Sequence, residues 1–102
     1  MTSEQRDAAL RVIKEQIAEL DAIVEKCSVE LNFVRAKERM AQWQKAAVPV
    51  LAQHVGPEDA NRFGAVKPGP SFTNDLMEEV SDEADTYRNH LQNLAKRIKQ
   101  TS

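Results

Sequence analysis

The chain holds 102 residues, with 14 Lys and Arg against 16 Asp and Glu, for a formal net charge of −2. A chain this short makes one domain with a real but thinly stabilised core, and its mixed charge argues against nucleic acid or an anionic membrane as a partner. A lone cysteine, Cys27, leaves no internal disulfide, no run approaches the ~20 apolar residues of a membrane span, and residues 1–7 lack the apolar core of a signal peptide, so a soluble, cytoplasmic protein is expected.

The first helix is predicted over about residues 4–28, with Ser3 as its cap and Glu4 and Asp7 in the favourable first turn. Leu10, Ile13, Ile17, Leu20, Val24 and Cys27 recur at steps of three and four and form one seam. A second seam runs through Phe33, Ala36, Met40, Trp43, Ala47 and Val50. It is out of register with the first by one residue, which rotates the stripe by about 100°. One straight helix cannot point both stripes at one core, so a tight turn is expected near Cys27–Asn32, with Ser28 or Asn32 capping the next helix. The alternative is a single helix of about 50 residues, ~75 Å long, buried against a partner chain.

The second helix is predicted over about 31–54, kinked at Pro49 and stopped by Gly56. Pro57, Glu58 and Asp59 then open a short helix over about 57–63 that ends at Gly64 and folds Phe63 back onto the bundle. A Pro- and Gly-rich loop over 64–71 follows. The last helix is predicted over about 73–100, with Thr73 as cap and Phe72 stapled to Met77. Its core seam is Leu76, Val80, Ala84, Tyr87, Leu91, Leu94 and Ile98. Six acids fall between Asp75 and Asp85, and Lys96, Arg97 and Lys99 close the helix, which matches the helix dipole at both ends. The expected fold is all-α: an up-down-up three-helix bundle with a short extra helix in the second connection.

Few residues suggest chemistry. The acid cluster Asp75, Glu78, Glu79, Asp82, Glu83 and Asp85 reads as a solvated helix face, because a hard cation needs oxygens converging from several directions. His54, His90 and Cys27 fall on three different helices without metal-ligand spacing, so no metal and no cofactor is expected. Cys27 occupies a seam position near a helix C-terminus, where the dipole disfavours a thiolate. No phosphate loop or nucleophile arrangement stands out, so enzyme activity is not expected. Trp43 reads as core, and Tyr87 as a core residue with its hydroxyl at the bundle edge.

Two polar groupings remain. Arg35 and Arg39 share a face next to Lys37 and suggest either a solvated surface or a site for an anion or an acidic partner, such as the acid cluster of a second copy. Arg39, Asp82, Glu83 and Arg88 are not needed for a seam, and an ion pair of Asp82 or Glu83 with Arg39 or Arg88 is expected to lock two helices together.

The stretch from Arg35 through Arg39-Met-Ala-Gln-Trp43 to His54-Val-Gly-Pro-Glu-Asp-Ala-Asn-Arg-Phe63, then Ser71-Phe-Thr73 and Asp82-Glu-Ala-Asp-Thr-Tyr-Arg88, resembles a family of small, uncharacterised bacterial helical domains. The resemblance covers about residues 33–98 and departs at Pro49, where the family continues an unbroken helix. It implies the same helix order and a loose association with bacterial defence and regulatory proteins, and it supplies no catalytic residue.

The expected function is a non-enzymatic interaction module. It self-associates, or docks a partner helix, through Leu10, Ile13, Ile17, Leu20 and Val24, because such regular spacing also suits packing between chains. The alternative is a small-anion or nucleotide sensor with a cleft lined by Arg35, Arg39 and the 64–71 loop.

Overall fold

The computed structural model describes residues 2–68 and 75–100. Helix α1 spans Ser3–Val29, α2 Phe33–His54, α3 Pro57–Gly64 and α4 Leu76–Gln100, so the protein is all-α, with no strand among the described residues.

Each described helix start has a local cause. Thr2, rather than Ser3, caps α1: its hydroxyl accepts from the Gln5 amide at 3.1 Å while the Gln5 side chain accepts from the Thr2 amide at 2.9 Å. This reciprocal box satisfies two orphan donors, which Ser3 cannot do from inside the helix. Asn32 caps α2 by accepting from the Arg35 amide at 3.1 Å. Gly56, at φ +150°, makes the turn into α3, and Pro57 follows at the first helical position. α2 runs on through exposed Pro49 to His54. The expected Thr73 cap and Phe72 staple lie outside the described residues. At the start of α4 the Asp75 carboxylate accepts from the Met77 amide at 2.9 Å.

The chain breaks between α1 and α2 instead of forming one long helix. The Asn32 amide bonds to the Cys27 carbonyl at 2.9 Å and the Leu31 amide to the Ser28 carbonyl at 3.2 Å. These are the two bonds of a Schellman stop. That stop needs a left-handed residue at Leu31, which sits at φ 57° and is 77% exposed.

The helix directions correct the up-down-up expectation. α1 and α2 are antiparallel, with the Trp43 indole donating to the Gln16 carbonyl at 3.1 Å. α4 is antiparallel to α1: Arg88 pairs with Asp21, while Ala95 and Lys99 share a groove with Ile17 and Leu10. α4 therefore runs parallel to α2, as Lys37 pairing with Glu79 and Trp43 packing on Tyr87 both require. The reason is α3. After the Gly56–Pro57 reversal it runs back along α2, placing Asp59 near Arg97 at 3.9 Å and the Phe63 and Val66 carbonyls on the Gln44 amide at 3.0 and 2.8 Å. The short helix thus acts as a full return leg, and the order is up-down-up-down with a truncated third member. Gly64 allows the close approach, because a Cβ there would lie 3.0 Å from Val48 Cγ2.

The core takes Ala9, Val12, Ile13, Leu20 and Cys27 from α1, Ala36, Met40, Trp43, Ala47 and Leu51 from α2, Ala60 and Phe63 from α3, and Val80, Ala84, Tyr87, Leu91, Leu94 and Ile98 from α4. Leu31→Gly relieves the left-handed strain at the α1–α2 turn and is expected to stabilise the fold by about 1 kcal/mol. Thermal unfolding checks this, with a Tm rise of roughly 4–8 °C for a domain of this size.

Candidate interaction surface

The α1 seam divides into two tracks. Ile13, Leu20 and Cys27 turn inward and are essentially inaccessible. Leu10, Ile17 and Val24, one heptad apart, stay half-buried, and Leu10 and Ile17 lie at the α1/α4 boundary. The expected five-residue surface is corrected accordingly. Ile13 and Leu20 are spent on the intramolecular core, at 1% and 0% exposure.

Leu10, Ile13 and Ile17 meet Ala95 of α4 in an open groove of about 590 Å³. Arg11, Lys14, Lys96 and Lys99 rim it, and Gln92 completes the wall. None of these four cations forms an ion pair with another described residue. The basic residues at the end of α4 were legible as dipole partners. Their meeting with Arg11 and Lys14 was not, because it depends on α4 running antiparallel to α1.

The expected ion-pair lock keeps Arg88 but takes other partners. Arg88 reaches across to Asp21 of α1 and also pairs with Asp85 within α4, not with Asp82 or Glu83. Lys37 and Glu79 join α2 to α4, where Arg39 was expected. These partners raise the Lys37 and Arg88 pKa values, chiefly through the hydrogen bonds to Glu79 and Asp21. Both pairs are partly exposed and add modestly to stability. Asp82 is exposed. Glu83 is buried and accepts from the Tyr87 hydroxyl at 3.2 Å, so that hydroxyl lies inside the protein and not at its edge. Burial and the Glu83 charge push the Tyr87 pKa up to about 12.

Arg35 and Arg39 share a shallow hollow with Asn32, Val34, Glu38 and Gln42. Gly64 belongs to a different hollow, beside Gln42, Gln44, Lys45, Val48 and Pro49, and no described residue of the 64–71 loop lines the arginine hollow. Among the described residues no group of three His, Cys, Asp or Glu side chains is placed to hold a metal, and no helix is long and apolar enough to cross a membrane. Cys27 is fully buried. His54 is exposed, and His90 packs on Phe63 with ring centroids 5.7 Å apart.

Comparisons with known protein families, with curated proteins and with solved structures find no match.

Burial, and then the Arg97 charge, lower the His90 pKa, with Asp59 opposing. The unfolded chain therefore takes up a proton first, so this histidine favours folding fully above the ordinary value of 6.5 and less as pH falls below it. Urea unfolding is expected to show wild-type stability declining more steeply than that of His90→Gln as pH is lowered through this range.

Proposed function

We propose that this chain is a non-enzymatic helical interaction module whose docking surface is the α1/α4 groove. The observation that carries the reading is the half-buried track Leu10, Ile17 and Val24, of which Leu10 and Ile17 lie beside Ala95. Residues one heptad apart present a continuous apolar line to an incoming helix, and a helix laid along it gains most where it covers Leu10 and Ile17. The likeness to bacterial helical domains suggests a regulatory or defence protein of the bacterial cytoplasm as its setting.

The test uses a synthetic amphipathic helix with a leucine seam and glutamate flanks, titrated into isotope-labelled protein. Backbone resonances at Leu10, Ile17 and Ala95 are expected to move. Covering one such side chain is worth about 1.5–3 kcal/mol. Ile17 is already half-buried, so about half of that gain remains, and Ile17→Gln should weaken binding roughly four- to tenfold while helicity stays unchanged. Shifts confined to other faces would overturn the reading.

A second reading, a small-anion or nucleotide sensor, has one observation behind it. Arg35 and Arg39 share a hollow, and neither pairs with an acid among the described residues. A nucleotide present at about 100 times its Kd would add ~2.7 kcal/mol to stability. Thermal-shift screening with nucleotides decides it, and a flat response across the panel removes this reading.

A further inference from the structure

We propose that the occupant of the α1/α4 groove is a second copy of this chain, laid antiparallel across the first about a twofold axis. This rests on the docking reading above and names its partner. The argument is the charge order along one exposed face. At one end lie Arg11, Lys14, Lys96 and Lys99. At the other end, exposed Glu78 and Asp82 occupy the first half of α4, and exposed Glu25 lies toward the same end on α1. Like the four cations, Glu25, Glu78 and Asp82 make no ion pair with a described residue.

A face with one basic and one acidic end repels a parallel copy and attracts an antiparallel one. Two α4 helices crossing near exposed Asn89 set Glu78 against the second copy's Lys99, and Asp82 against its Lys96. Glu78 and Asp82 are four residues apart and Lys96 and Lys99 three, so both pairs meet to within about one helical residue, ~1.5 Å. The twofold axis makes each contact twice, as an isologous interface requires. Met77, 51% exposed at the acidic end, is carried to the Leu10 end of the opposing groove, where an apolar side chain has a place to go.

The test pairs two charge-reversed proteins, Lys96→Glu with Lys99→Glu, and Glu78→Lys with Asp82→Lys. All four positions are exposed, and circular dichroism checks that each variant remains helical. Sedimentation across a hundredfold concentration range should show the wild type self-associating and each variant about a hundredfold weaker, since attraction becomes repulsion at both symmetric contacts. An equimolar mixture of the two variants should recover wild-type association, because every reversed acid end then faces a reversed basic end. Wild-type association should also weaken as salt is raised, a check that needs no variant. A wild type that stays monomeric, variants that associate like the wild type, or a mixture that stays monomeric would each overturn the proposal. A monomeric wild type whose groove still binds the synthetic acidic helix would sink the second copy and leave the docking reading standing. Absence of both sinks both.

Discussion

One side chain touches every other helix. The Trp43 ring meets Phe63 of α3 edge-on at 5.5 Å and Tyr87 of α4 at 5.7 Å, and its indole nitrogen donates to a mid-helix carbonyl of α1. A tryptophan buried this deeply needs a partner for its N–H, and only a backbone carbonyl at the right height on α1 supplies one. That bond fixes the height of α2 against α1. The two aromatic contacts then fix where α3 returns and where α4 lies. The remaining core residues fill space around a frame already set at Trp43.

The frame explains why α3 matters beyond its eight residues. An eight-residue helix has little stability of its own. Burial of Ala60 and Phe63 holds it in place, and the Gln44 amide gripping the Phe63 and Val66 carbonyls finishes its C-terminal end. Because this segment carries the chain back along α2, α4 begins near the α1–α2 turn and descends beside α1 in the opposite sense. The basic end of α4 therefore joins Arg11 and Lys14, and the electrostatic character of the groove follows from a return leg on the far side of the bundle.

Much of the fold was legible because helix seams are written in apolar spacing. Val80, Ala84, Tyr87, Leu91, Leu94 and Ile98 are all buried, as their period requires. The register shift between the first two seams marked the break that Leu31 and Asn32 make. Direction was not legible: spacing says which face is buried and nothing about which way a helix runs after a long connection. Nor did the α1 seam announce its division, since Ile13 and Ile17 look alike until the folded core takes one more deeply than the other. The Asp21–Arg88 and Lys37–Glu79 pairs were hidden for the same reason, because each joins residues distant in sequence through helix directions that local pattern does not encode.

The buried position of Cys27 has a practical meaning. It is the single thiol of the chain, and it lies with no exposure in the last turns of α1, just before the stop that Leu31 completes. A thiol reagent reaches it only when that end of the bundle comes apart, so the rate of labelling counts the openings. The protein thus carries its own clock for the fraying of the α1–α2 end, readable by mass spectrometry of the labelled thiol with no engineered cysteine.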